Sequence, residues 1–143
     1  MLREHAGVTT DMIIRTTENK IALITRKNSP FQGAWAIPGG FLDVGKETVE
    51  ECAVREAKEE TSLKVEIEIL LGVWSDPKRD PRGHTVSCVY ISKPISPEEA
   101  GKGKAADDAK SIAWFTKEEI DNLEIAFDHK EIMDSAFEYI LSK

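Results

Sequence analysis

The apolar and polar positions of this chain follow two different periods, and each change of period predicts a new element. Residues 8–16 and 20–26 are β-rich runs joined at Glu18-Asn19, which predicts a hairpin. The second run, IALITR, is almost entirely apolar, so we expect a central strand that is buried on both faces. Residues 63–74 instead alternate between apolar and charged side chains, as expected of a half-exposed strand.

The remaining elements are expected as a short strand at 41–43, a helix over about 47–61, a strand over about 84–92, an irregular stretch over 93–109 and a last strand at 111–115. Thr116 should open a short helix with Glu119 as its capping-box partner, and Asp128 should open the final helix with Glu131 in the same role. Strands interleaved with helices predict an α/β domain with helices packed on a sheet. The length of 143 residues suits one domain over residues 1–143.

The helix at 47–61 carries the most informative charges. On a wheel of roughly 100° per residue, the carboxylates of Glu56, Glu59 and Glu60 lie within roughly 100° of arc, beside an apolar stripe. Like charges at this spacing destabilise a helix by roughly 0.2–0.5 kcal/mol per pair, and a divalent cation would offset more than that. Mg²⁺ prefers oxygen ligands, usually one or two carboxylates with substrate phosphates. The cluster indicates either a metal-binding face or an ordinary charged surface helix.

The residues before this helix favour the metal-binding interpretation. Gly39 and Gly40 allow the backbone to approach a ligand closely, and a carbonyl there could complete the coordination of a metal. Glu47, followed after seven residues by REAKEETSL at 55–63, resembles the box of the Nudix hydrolase family. Two positions depart from that box. Lys46 lengthens the spacing from Gly40 to Glu47 to six residues, and Ser62 stands where the family usually has Gly, at a cost of about 1 kcal/mol.

The resemblance implies a Nudix-type α/β/α sandwich with a central mixed β-sheet. It also implies a metal cofactor, Mg²⁺ or alternatively Mn²⁺, and assigns roles to residues of the box. The implied metal ligands are Gly40, Glu56, Glu59 and Glu60. The implied catalytic set is Glu47, Arg55, Glu56 and Glu59, in which Arg55 orients a carboxylate through a charge-assisted hydrogen bond.

The loop over residues 75–84, SDPKRDPRGH, supplies two arginines that could bind phosphate with both arms of the guanidinium. It resembles the loop of the ADP-ribose pyrophosphatase branch of the family. We therefore expect Arg79 or Arg82 to contact substrate or to order the loop against the site. The alternative is a solvated loop held by salt bridges.

Four further residues are candidates for substrate binding, and a structural role is open for each. Arg26 ends a strand, and Trp35 could stack on an adenine or pack in the core. Asp108 lies in a loop from which related enzymes supply an acidic residue, although it could equally belong to a plain acidic turn. Asp128 could read a nucleobase or simply cap the last helix, and the adjacent His129 is expected to be exposed.

Composition and charge limit the kinds of binding partner that we expect. The chain is 41% hydrophobic and 31% charged with a net charge of −7, which argues against nucleic-acid binding, since such surfaces are usually basic. A bound metal would reverse the local charge, so a small nucleotide substrate remains compatible. We expect no membrane association and a cytoplasmic location, because the chain has no long apolar run and no apolar signal core near its start. Relatives are often homodimers, so a dimer is open.

The function expected from the box and the loop is metal-dependent hydrolysis of a nucleoside diphosphate linked to another group, with ADP-ribose giving AMP and ribose 5-phosphate. One alternative is a MutT-type enzyme that hydrolyses normal or oxidised nucleoside triphosphates. Another is a non-catalytic sensor of ADP-ribose or a nucleotide. The complete set of carboxylates counts against the sensor, as do the few residues after Asp128, about fifteen, which leave no room for a winged helix.

Overall fold

The computed structural model describes residues 4–100 and 109–143. In chain order these residues form β1 (Gly7–Ile14), β2 (Ile21–Arg26), β3 (Trp35–Ala36), β4 (Gly39–Phe41), α1 (Val49–Thr61), β5 (Val65–Trp74), β6 (Thr85–Pro94), α2 (Pro97–Ala100), β7 (Ala109–Phe115), α3 (Lys117–Ile120) and α4 (His129–Leu141). The predicted α/β class is confirmed. None of the helices in this part of the chain has the length and apolar character needed to cross a bilayer.

The strands form two sheets. One is a mixed four-stranded sheet in the order β4-β1-β6-β5, in which β1 and β6 run parallel and the other pairs are antiparallel. The other is an antiparallel three-stranded sheet in the order β3-β2-β7, which the sequence did not indicate. The predicted hairpin of the first two strands is wrong. Apart from one bridge between Arg15 and Ile21, β1 and β2 pair with strands in different sheets.

Neighbouring residues of β1 and β2 point into two different cores. Ile13 of β1 packs in a cluster with α4, whereas its neighbours Met12 and Ile14 pack in a second cluster with α1. In β2, Leu23 joins the first cluster and Ala22 joins the second. Because alternate side chains of a strand point to opposite faces, the strands lie between α1 and α4. This is the predicted α/β/α sandwich, and the complete burial of residues 21–24 confirms that the second strand is covered on both faces.

The ends of α1, α3 and α4 can be compared with the capping that the sequence predicts. Helix α1 begins at Val49, where the N-cap Thr48 forms a capping box with Glu51, so that Glu47 lies just outside the helix. It ends at Ser62 in the left-handed conformation, with φ of 66°, as its position in the box predicts. At α4, however, the Asp128 side chain makes no capping bond, so the predicted capping box is wrong there. The capping box predicted at α3 is confirmed.

Candidate active site

A cleft of about 360 Å³ lies where β1, the turn from β3 to β4, helix α1 and the start of α4 meet. The loop between β5 and β6 forms part of its wall. The lining of the cleft includes Thr9, Asp11, Arg26, Gly39, Gly40, Phe41, Glu56, Glu60, Arg79, Arg82, Phe127 and His129. The cleft therefore combines acidic groups from α1 and β1 with guanidinium groups from β2 and the β5–β6 loop.

Two glycines place the backbone directly against the carboxylates of α1. The Gly39 N–H donates to Oε1 of Glu60 at 2.7 Å. A Cβ atom at Gly40 would lie 2.5 Å from the carboxylate carbon of Glu56, and one at Gly39 would overlap the carbonyl oxygen of Thr10. Such contacts leave no room for a side chain, which explains why glycine occupies both positions.

Arg55 links the acidic side chains of the box. Its Nε and Nη2 atoms each donate to Glu47 at 2.8 Å, while Nη1 donates to Glu56 at 2.9 Å and to Glu59 at 3.1 Å. The guanidinium and the Asp43 N–H hold the pKa of Glu47 at about 2. The hydrogen bonds of Arg55 to Glu47, Glu56 and Glu59 raise the pKa of Arg55 above its usual range, so the group stays charged. Arg55 thus contacts three carboxylates of the box, and its catalytic role in orienting them stays a prediction.

The donor groups at the cleft suit a hard divalent cation. Carboxylate and carbonyl oxygens are the ligands that Mg²⁺ and Mn²⁺ take, and the side chains of Glu56 and Glu60 line the cleft beside Gly40. The Glu59 side chain is 56% exposed, bonded to Arg55 and absent from the lining. Over residues 4–100 and 109–143, no three His, Cys, Asp or Glu side chains already converge as a metal site. Glu59 would therefore have to turn away from Arg55 to join Glu56 and Glu60.

The two arginines of the β5–β6 loop differ sharply. The buried Arg79 side chain binds both oxygens of Asp128, at 2.9 and 2.7 Å, and donates to Thr85 at 2.8 Å. Arg82 is 44% exposed and pairs with Asp80 at 2.9 Å. The structure thus gives Arg79 the role of ordering the loop and leaves Arg82 accessible from the cleft.

Aromatic rings and guanidinium groups alternate along the cleft. The Arg82 guanidinium lies 5.2 Å from the ring centre of Phe41 and 5.5 Å from that of Phe127. Arg26 lies 5.0 Å from the same Phe127 ring and donates to the Pro30 carbonyl. Burial and the nearby Arg82 charge lower the pKa of Arg26. Two cations close enough to repel each other would gain from an anionic ligand between them.

Several of the predicted residues are not brought to the cleft. Trp35 packs edge-on against Phe115 in the core, with ring centres 4.9 Å apart. Asp128 lies behind Arg79, and neither it nor Glu47 belongs to the lining. Asp108 lies outside the described residues.

A buried polar group at the cleft was missed by the sequence analysis. His129 is 5% exposed, so the expectation of an exposed residue is wrong. Its Nδ1 atom accepts from the Ile37 N–H at 3.0 Å, and Nε2 faces Oδ1 of Asp11 at 3.5 Å. Ser87 donates to the other oxygen of Asp11 at 2.5 Å. The one local signal was the carboxylate of Asp11, the only charged side chain in the strand GVTTDMII.

The α/β/α sandwich with its Glu–Arg–Glu cluster defines a class of hydrolases, and comparison with known proteins identifies that class. Residues 5–136 match the NUDIX domain, and the chain belongs to the Nudix hydrolase family. It is 51% identical over 130 residues to an ADP-ribose pyrophosphatase of Methanocaldococcus jannaschii, covering 90% of this chain and 72% of that protein.

Two further relatives are longer than this chain. An ADPR responsive transcriptional repressor of Acinetobacter baylyi is 31% identical over 140 residues, which cover 95% of this chain and 55% of the repressor. A bifunctional NMN adenylyltransferase/ADP ribose pyrophosphatase of Francisella tularensis, solved with AMP and a Mn ion, superposes with a TM-score of 0.83 at 29% identity. That match covers 96% of this chain and 42% of the Francisella chain, so the likeness concerns one part of each longer relative.

Proposed function

We propose that this protein hydrolyses ADP-ribose to AMP and ribose 5-phosphate with the help of a divalent cation. The observation that carries the proposal is the 51% identity to a protein named ADP-ribose pyrophosphatase across 90% of the chain. The geometry supports it, because one cleft combines the box carboxylates Glu56 and Glu60 with the guanidinium groups of Arg26 and Arg82. A diphosphate needs both kinds of group, since its charge must be bound while one anhydride bond is broken.

Hydrolases of this family use divalent cations, and we propose Mg²⁺ for this chain, with Mn²⁺ able to replace it. The Gly40 carbonyl, Glu56 and Glu60 would hold the cation, with Glu59 completing the set. When bound, the cation neutralises the charge of the diphosphate and makes a water molecule more acidic. Arg55 would keep the remaining carboxylates ionised and oriented while the cation is held.

The reaction balances as a simple hydrolysis. The oxygen of water forms a bond to one phosphorus atom, the bond from that phosphorus to the bridging oxygen breaks, and the bridging oxygen leaves with the other phosphate. One proton of the water passes to a carboxylate of the cluster formed by Glu56, Glu59 and Glu60. Arg26 and Arg82 bind the phosphate oxygens throughout, so most of the rate enhancement comes from positioning and electrostatics.

The experiment is a substrate panel with Mg²⁺, followed by phosphorus NMR. The panel contains ADP-ribose, NADH, diadenosine polyphosphates and both normal and oxidised deoxynucleoside triphosphates. We expect AMP to form fastest from ADP-ribose. Turnover of the triphosphates alone would replace the proposal with a MutT-type triphosphate hydrolase.

The repressor from Acinetobacter supports a second candidate, a sensor that binds ADP-ribose without hydrolysing it. Tight binding of ADP-ribose with no product in the presence of Mg²⁺ or Mn²⁺ would establish the sensor. Against it stands the complete set of box carboxylates in this chain. The absence of a nucleic-acid partner, a cytoplasmic location and a homodimer stay predictions.

A further inference from the structure

The hydroxyl oxygen of Thr9 has no hydrogen-bond partner, which is the case for no other buried side-chain nitrogen or oxygen in residues 4–100 and 109–143. Thr9 is 8% exposed and lines the cleft. Buried polar atoms are nearly always paired, because burying an unpaired one costs free energy. An unpaired hydroxyl in the wall of a substrate cleft is a group that a bound ligand would satisfy.

The position of Thr9 limits which part of a substrate it can reach. In the β1–β4 pairing Thr9 lies opposite Phe41, and the next residue, Thr10, lies opposite Gly40. Neighbouring strands are about 4.8 Å apart and successive residues about 3.3 Å apart. The distance from Thr9 to the Gly40 backbone is therefore roughly the width of one sugar ring. A ligand whose diphosphate is held at Gly40 would present to Thr9 the group attached directly to a phosphate.

Asp11 supplies a second polar group beside Thr9. Residues two apart on a strand share a face, so the Asp11 carboxylate lies about 7 Å along the same face of β1. Asp11 is 7% exposed and also lines the cleft. Its Oδ2 atom accepts from Ser87, whereas Oδ1 is 3.5 Å from His129, which is long for a hydrogen bond. Asp11 can therefore accept a further hydrogen bond from a ligand hydroxyl.

We propose that Thr9 and Asp11 form a subsite for the neighbouring hydroxyls of a ribose that is attached to the diphosphate. The Thr9 hydroxyl bonds one ribose oxygen, and Oδ1 of Asp11 accepts a hydrogen bond from the adjacent ribose hydroxyl. In dinucleotide-binding proteins an Asp or Glu side chain likewise accepts a hydrogen bond from a ribose hydroxyl. This inference rests on the proposed function and deepens it, because it assigns the residues that select a ribose-containing diphosphate. The adenosine ribose and the terminal ribose share this chemistry.

Thr9→Val tests the subsite because valine keeps the shape of threonine and removes only the hydroxyl. We expect KM for ADP-ribose to rise roughly 3- to 10-fold, the effect of one hydrogen bond, with little change in kcat. Thr9→Ser retains the hydroxyl and should restore most of the loss. An unchanged KM in Thr9→Val would overturn the proposal.

Stability separates ligand binding from a structural role of the same hydroxyl. Because the Thr9 hydroxyl has no partner in the free protein, Thr9→Val should unfold at the same or a higher urea concentration than the wild type. Thr10→Val is the matched control on the next residue. The Thr10 hydroxyl lies 3.3 Å from the Cys52 sulfur, so we expect its removal to lower the urea concentration at which the protein unfolds. A clear loss of stability in Thr9→Val would show that its hydroxyl has a partner within the protein and would contradict the subsite.

Titration calorimetry with the two products identifies the ribose and keeps this inference distinct from the proposed function. Weaker binding of AMP to Thr9→Val than to the wild type places the adenosine ribose at Thr9, and weaker binding of ribose 5-phosphate places the terminal ribose there. Equal affinities of the wild type and the variant for both products would overturn the subsite, as would failure of the wild type to bind either. A wild type that binds these products but never hydrolyses ADP-ribose would refute the proposed function alone.

Discussion

Arg79 and Arg82 lie three residues apart in one loop, and from the sequence either could contact the substrate. The structure separates them by burial: the Arg79 side chain is 4% exposed and pairs with Asp128, whereas that of Arg82 is 44% exposed. Removing one partner of a buried ion pair leaves the other charge uncompensated, whereas a pair with one exposed partner contributes less to stability. The two residues should therefore affect different properties of the protein.

We predict that Arg79→Ala lowers the free energy of unfolding by about 3 kcal/mol, because it leaves the Asp128 carboxylate without its partner. Arg82→Ala should lower that free energy by less than Arg79→Ala does, because the buried Asp80 carboxylate keeps its hydrogen bond from the Arg82 backbone N–H at 2.9 Å. It should instead raise KM for ADP-ribose, because Arg82 lines the cleft. Urea unfolding and steady-state kinetics of both variants measure the contrast. A destabilised Arg82→Ala together with a stable Arg79→Ala would reverse the two roles.

The positions of site residues could be predicted where they depend on local spacing. The helical period alone places Glu56 and Glu60 on one face of α1, and both line the cleft. The roles of Asp128 and His129 depend on partners far away in the sequence. Asp128 binds Arg79, 49 residues away, and His129 binds the Ile37 N–H, 92 residues away. No local pattern contains such pairings, which is why an N-cap and an exposed histidine were expected at these positions.

At the scale of elements, α1 ends at a residue that is poorly suited to its backbone. Ser62 has φ of 66°, a conformation that glycine adopts without penalty and other residues adopt at a cost of roughly 1–2 kcal/mol. The Ser62 N–H donates to the Lys58 carbonyl at 2.8 Å, a bond that does not depend on the side chain.

Ser62→Gly should therefore raise the free energy of unfolding by about 1 kcal/mol. Part of this gain is offset because glycine has more conformational entropy in the unfolded chain. Equilibrium urea denaturation measures the change, and Ser62→Ala, which keeps the Cβ atom, is the control and should give no gain. A destabilised Ser62→Gly would mean that contacts of the serine side chain outweigh the backbone cost.

The positions of the strands could be predicted from the sequence more reliably than their pairing. The five longer strands were predicted to within two residues at each end, because alternation and apolar runs are local. The strand expected at 41–43 lies instead at Gly39–Phe41, β3 was not expected, and the pairing of β1 with β2 was wrong. The short turn at Asn19 brings the two strands close, yet β1 pairs in parallel with β6 along its whole length, from Gly7 opposite Thr85 to Ile14 opposite Ser92. Strand pairing over such separations is fixed by packing of the cores on both faces, which a local pattern does not record.

At the scale of the whole molecule, His129 joins α4 to the turn that carries Gly39 and Gly40. Burial lowers the pKa of His129, outweighing the nearby carboxylates of Asp11 and Asp128, which act in the opposite direction. Arg79 and Arg26 lower the pKa further. Below the usual pKa of about 6.5 the unfolded chain takes up a proton more readily than the folded protein does. The stability from neutral His129 is therefore present above about pH 6.5 and is lost as the pH falls below it.

We predict that the free energy of unfolding of the wild type falls by about 1 kcal/mol between pH 6.5 and pH 5.5, the linkage expected of one histidine. His129→Asn is the control, because its side-chain oxygen can accept from the Ile37 N–H and does not titrate. The remaining histidines are common to both proteins and cancel in the comparison. Urea unfolding at pH 7.5, 6.5 and 5.5 provides the measurement, and an equal fall in both proteins would assign the pH dependence to other groups.

The proposed hydrolysis of ADP-ribose depends on the carboxylates beside the glycine turn. The most direct measurement is the rate of AMP formation from ADP-ribose with Mg²⁺ by the wild type and by Glu60→Gln. Glutamine can keep the hydrogen bond from the Gly39 N–H while removing the charge that would hold the cation. We predict a kcat lower by about 100- to 1,000-fold with an unchanged circular dichroism spectrum, and no change for Glu66→Gln, an exposed residue of β5. Full activity in Glu60→Gln would contradict the account.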